Sequence, residues 1–214
     1  MPVSLPNGAT LALATTYASA LTVTAASNAN PCVLTVNNAL SIGDYIEYNS
    51  GWSRANGRLF RLSAVSGTTV TVEGLDASST TLFPAGSGTG SIRKITAFTQ
   101  VSQVLDLTSS GGDPQYTTYS FLEQDFDTQI PTTTAPQSLT LSIADDATLA
   151  GYIALKAAAL TRVATGLKMS MPQGGVILYN GILALDETPS LTKNQLMAVK
   201  CGFALSNRPV RYTT

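Results

Sequence analysis

Histidine is absent from all 214 residues. Ser-His-Asp and Cys-His catalysis, and the common zinc sites, all need an imidazole, so those chemistries are excluded. Charge is scarce as well: Asp, Glu, Lys and Arg together make up 12%, about half the share of an ordinary soluble domain. The net charge is −1, wrong for a nucleic-acid binder, which needs clustered Lys and Arg to displace counterions from phosphates. Only two cysteines occur, Cys32 and Cys201, too far apart in sequence for a metal or redox motif. No run is long and apolar enough to insert in a membrane. The most apolar region, 147–167, carries Lys156 and Arg162. The start of the chain lacks a basic segment followed by a compact apolar core, so no export signal is read there, and free thiols in a reducing cytosol are expected.

What is present is a chain long enough to bury a core without disulfide or metal staples. Hydrophobic residues reach 44%, and Thr, Ser, Ala and Gly stand where charge is missing. Charge depletion is a property of interface centres. The composition therefore favours a subunit that hides much of its surface in an assembly over a Thr/Ser-rich monomer.

The pattern along the chain is mainly β. A Pro6-Asn7-Gly8 turn and β-prone sequence occupy 1–24. Short alternating segments follow at 44–48, 58–65 and 69–73, the last two joined by a tight turn at Ser66-Gly67. The Gly/Ser-rich stretch 83–91 reads as a loop, and a boundary near 95 makes 25–95 a small all-β module inserted after a first strand segment (1–24). Residues 96–214 hold seven basic and nine acidic residues. There the pattern predicts strands at 95–107, 116–126, 137–143 and 195–205, and a hairpin with arms 167–171 and 176–185. Leu139, Leu141 and Ile143 share one face, as do Met197, Val199, Cys201, Phe203 and Leu205. Gly181 marks a bulge or a close backbone contact. Leu149, Tyr152, Ile153, Leu160, Val163 and Ala164 follow helical spacing, predicting one helix over about 146–164. Asp145 and Asp146 are its expected N-terminal caps and Gly166 its stop.

Few residues invite chemistry. Asp145-Asp146 lacks a third ligand for a metal, and capping explains the pair. Ser87-Gly88-Thr89-Gly90 lacks the Gly-Lys-Ser/Thr ending of a phosphate loop and precedes a strand. Tyr45, Tyr48 and Trp52 form either a sugar-binding platform or, more simply, the core of the inserted module. No catalytic constellation emerges, and no cofactor is expected. One stretch stands out: FLEQDFDTQ, residues 121–129. As a strand it places Glu123, Asp125 and Asp127 on one face. Such a ridge is either a charged edge that discourages pairing or a functional surface. The segment after it, Thr128, Gln129, Ile130, Pro131, Thr132, Thr133, Thr134 and on to Pro136, is expected to leave the sheet, because proline cannot donate to a ladder.

The run TYSFLEQDFDTQIPTTTAPQSLTLSIADDATLAGY, then MPQGGVILYNG, then TPSLTKNQLMAVKCGFALSNRPVRY, resembles the major tail tube proteins of long-tailed bacteriophages with non-contractile tails. The opening MPVSLPNGATLALATTYASALTVTAASNANP and the segment SGWSRANGRLFRL resemble that family's larger members, which carry a β module near the N-terminus. The resemblance implies a β-sandwich, or barrel, with one flanking helix. It implies homohexameric rings stacked into a tube that encloses the tape measure protein and later passes DNA without binding it specifically. It further implies tail terminator and distal tail proteins as partners, a place in the virion tail, assembly in the host cytoplasm, and no enzymatic activity. On this reading Glu123, Asp125 and Asp127 face either the lumen or basic residues of the next ring, and 128–136 is the inter-ring loop. The alternatives are a terminator or tip ring of the same machinery, or a carbohydrate-binding adhesive module built on Trp52.

Overall fold

A computed structural model describes residues 7–37 and 40–213; Pro6 of the expected first turn lies outside them. The chain forms β1 (Thr10–Tyr17), β2 (Leu21–Ala26), β3 (Cys32–Val36), β4 (Tyr45–Ser50), β5 (Arg58–Ser66) and β6 (Thr69–Val72), then the long β7 (Gly90–Val101). Next come β8 (Val104–Gly111), β9 (Pro114–Tyr119), β10 (Thr128–Thr134), β11 (Gln137–Ala144) and helix α1 (Ala150–Thr161). The chain ends with β12 (Thr165–Ser170), β13 (Val176–Ser190), β14 (Ala198–Leu205) and β15 (Val210–Tyr212). The fold is mainly β with one helix among the described residues, as the sequence pattern indicates.

Strands β2, β3, β6, β5, β4 and β7 pair in that order, and β7 pairs back to β2, so the six close on themselves. Closure removes free edges from this small barrel. Its interior is filled by Leu34, Ile46, Tyr48, Trp52, Phe60, Val70, Val72 and Ile92, all buried. The upper half of β7 continues onto β1 and opens a second sheet, ordered β7-β1-β12-β13-β14-β11-β8. Helix α1 lies against β13, β7 and β1 of that sheet. Its Tyr152 and Leu155 join a core of Leu11, Leu139, Leu141, Ile143, Val199, Cys201 and Phe203.

The two layers share more than a strand. The Tyr212 hydroxyl accepts the Arg61 N–H at 2.8 Å and donates to the Glu73 carbonyl at 3.1 Å. Asn180 Nδ2 donates to the Gly57 carbonyl at 2.7 Å. Leu178, Val210 and Tyr212 are buried in the barrel's core. The expected limits at 25 and 95 fall inside β2 and β7.

Several expected elements shift. The strand expected over 95–107 is two strands, because Gln103 takes a left-handed conformation (φ 57°) and turns the chain from β7 into β8. The helix is shorter than 146–164, and neither Asp145 nor Asp146 caps it. Leu149 occupies the N-cap position without a side-chain bond. Asp146 Oδ1 instead accepts from Thr148 N at 3.0 Å and Thr148 Oγ1 at 2.6 Å. That local turn captures the carboxylate before the helix begins. Gly166 is not the stop either: Arg162, at φ 53°, ends the helix, and Gly166 lies within β12.

Candidate functional site

Residues 121–127 are not a strand. They form the tip loop between β9 and β10, with the Gln124 N–H donating to the Phe121 carbonyl at 3.0 Å and Gln124 Oε1 accepting the Phe121 N–H at 3.3 Å. Glu123, Asp125 and Asp127 are all exposed there. A loop lets three like charges spread into water, whereas one strand face would align them. Thr128 to Thr134 do leave the main sheet, yet they are a strand rather than a loop. Among the described residues β10 pairs only with β9, and Pro131 sits opposite Tyr116. Proline is tolerated because the other edge of β10 has no ladder to complete. Pro136 follows, where the chain returns to β11.

The result is a two-stranded ribbon standing off the body. Every residue of β9 is exposed, and so is every residue of β10 after Thr128. Its apolar side chains face water too: Tyr116, Tyr119, Phe121, Phe126, Ile130, and Leu122 with the whole side chain free. An isolated two-stranded hairpin is marginal in water, and exposed apolar surface of this size marks an interaction site. Gly111, at φ +77°, turns the chain out of β8 into the ribbon; a Cβ there would overlap the Pro136 carbonyl oxygen.

Counting charge by halves hides its distribution. Residues 95–155 contain seven acids and no Lys or Arg, whereas 156–214 contain seven basic residues and two acids. A signed running count along the sequence reveals that asymmetry. The ribbon belongs to the acidic part. At its foot, Arg208 Nη2 donates to Thr134 Oγ1 at 3.4 Å. The adjacent Asn207 Nδ2 donates to the Asn56 carbonyl at 2.8 Å, which brings the loop carrying Arg54 and Arg58 alongside.

The remaining candidates are structural. Trp52 and Tyr48 are fully buried, Trp52 Nε1 donates to the Pro84 carbonyl at 2.8 Å, and its ring meets Phe83 edge-on at 5.3 Å. Tyr48 donates to the Gly88 carbonyl. These rings fill the barrel and present no platform to a sugar. Cys32 and Cys201 are buried free thiols, and burial pushes the Cys201 thiol up to about 12. Among the described residues no cluster of acids and thiols has the makings of a metal site. A cleft of about 790 Å³ between the start of β1 and β8 has Asp106 as its one carboxylate.

A body with a filled core and an apolar ribbon that nothing among the described residues covers defines a class: a structural subunit built to be completed by other subunits. The chain belongs to the phage tail tube protein (TTP) family, whose model matches residues 50–214. A search of curated proteins finds no match. Family membership makes it a structural virion protein of the phage tail, one that self-assembles into a tube and associates with other tail components.

Proposed function

We propose that six copies close into a ring, that rings stack into the tail tube, and that the ribbon β9–β10 is the element each copy extends to its neighbour. The ribbon's unpaired apolar surface carries this reading. Tyr116, Phe121, Leu122, Phe126 and Ile130 need a partner to leave water, at about 25 cal/mol per Å² gained on burial. Glu123, Asp125 and Asp127 lie at the tip of a projecting element, which favours a contact role over lining the lumen. The tube encloses the tape measure protein during assembly in the host cytoplasm. It meets terminator and distal tail proteins at its ends and later passes DNA. A conduit of low charge suits that task, because a basic wall would hold DNA by counterion release. The module 25–95 faces outward and braces the wall.

Native mass spectrometry and sedimentation of the purified chain test the ring. A species of six subunit masses is expected, appearing with rising concentration. Assemblies of any other fixed number would overturn the six-fold reading.

A further inference from the structure

We infer that the acidic tip of one copy's ribbon seats on an arginine cluster at the foot of another copy's ribbon, formed by Arg54, Arg58 and Arg208. This inference rests on the assembly reading above.

The cluster is built by the fold from distant parts of the chain. Arg58 opens β5, and its Nη1 donates to the Arg54 carbonyl at 3.4 Å. Asn207 clamps the loop before β5 to the segment carrying Arg208. Burial lowers the Arg58 pKa, Tyr212 opposes that, and Arg208 lies close enough to lower it further. Arg54 and Arg208 are exposed. None of the three makes an ion pair among the described residues, while Arg61, Arg93, Lys94 and Lys156 each do. Arg58 Nε is buried without an acceptor. Asp113, at the ribbon's foot, makes no ion pair with the cluster either.

Two neighbouring guanidiniums, Arg58 and Arg208, with the exposed Arg54 on the loop that leads into β5, favour a concentrated source of carboxylates, and the chain has one. Glu123, Asp125 and Asp127 occupy a single exposed loop within a 61-residue stretch that lacks Lys and Arg. The tip cannot serve its own cluster. Arg208 touches Thr134, at the end of the ribbon farthest from the tip. The six residue steps from Thr134 to Thr128, at about 3.3 Å each, separate foot from tip by about 20 Å. Only a second copy, displaced by roughly that ribbon length, brings opposite charges together. The exposed Phe121, Leu122 and Phe126 beside the acids supply apolar burial around the pairs. Used head-to-tail, one tip to the next copy's foot, the contact propagates into rings or filaments.

The test uses the full chain, assembled. In the double variant Asp125→Cys with Arg208→Cys, a short bis-maleimide is expected to link subunits into a covalent ladder, with neither single variant linking. The native thiols are buried and do not compete. Wild-type tubes with an unlinked but assembled double variant would overturn the inference and leave the assembly reading intact. Failure of the wild type to assemble would count against the assembly reading instead. If the cysteine variant does not assemble, charge exchange decides. Asp125→Arg and Arg208→Asp are each expected to raise the assembly threshold by about tenfold, and the two together to restore it to within about threefold. Unchanged thresholds, or absence of rescue, would overturn the contact.

Discussion

Tyr212 shows at the scale of one residue how the two layers are held. It lies two residues from the end of the sequence, yet its hydroxyl bonds Arg61 N and the Glu73 carbonyl in the barrel, and the Arg61 guanidinium stacks over its ring at 4.6 Å. Tyr212→Phe leaves both backbone groups without that partner and is expected to cost about 1–3 kcal/mol, read as a lower urea midpoint. Burial also pushes Tyr212 and Tyr48 up to about 12. The folded pKa lies above the unfolded value of about 10, so the stabilisation is complete below pH 10. It is lost as pH rises from there toward 12. Stability should therefore hold level between about pH 7 and 9 and fall through that window, with a smaller fall in Tyr212→Phe; an equal fall in both would contradict this assignment. At this scale alternation in the sequence was informative: Leu139, Leu141, Ile143, Val199, Cys201 and Phe203 are all buried as the pattern implies. Met197 is not, because β14 begins one residue later and leaves it in a loop. Gly181 marks a close contact as expected: a Cβ there would overlap the Ala204 carbonyl oxygen. Gly181→Ala should destabilise by about 1–3 kcal/mol, measured by denaturant titration.

The ribbon is the element on which assembly turns, and it is also where the sequence was least transparent. Period-two spacing of Glu123, Asp125 and Asp127 mimics a strand, but periodicity cannot register the Phe121–Gln124 turn that ends β9. Pro131 argues against a central strand and says nothing against an edge strand that pairs on one side only. The helix ends were obscured for a similar reason: Asp146 has a closer partner in Thr148 than the helix start offers. Phe121→Ser with Phe126→Ser should abolish assembly while changing monomer stability by less than about 0.5 kcal/mol, since both side chains are exposed. Thermal melting paired with sedimentation separates the two effects. A large loss of stability would show that the ribbon supports its own fold instead. Gly111→Val should misdirect the ribbon, through lost left-handed backbone and overlap with Pro136, and so block assembly with the core still formed.

The whole molecule is a closed barrel and an open sheet sharing β7, with the ribbon leaving from the end of β8. Mainly-β character, the single helix and the tube family were legible from pattern and resemblance. The closed barrel was not, since β7 pairs with β2, β4 and β1 and no local signal announces a strand with three neighbours. An outward position for 25–95 predicts that a short tag inserted between Gly67 and Thr68, at the tip of the β5–β6 hairpin, leaves tubes intact and decorates them along their length under immunogold. Assembled tubes that hide the tag would contradict that placement. The central claim is that this chain builds a tube and does so through its ribbon. Negative-stain electron microscopy over a concentration series, wild type beside the Phe121→Ser/Phe126→Ser variant, tests it most directly. Six-fold rings and hollow tubes for the wild type, with none for the variant, are predicted. Tubes that form equally well without the two aromatics, or a wild type that stays monomeric at every concentration, would contradict the account.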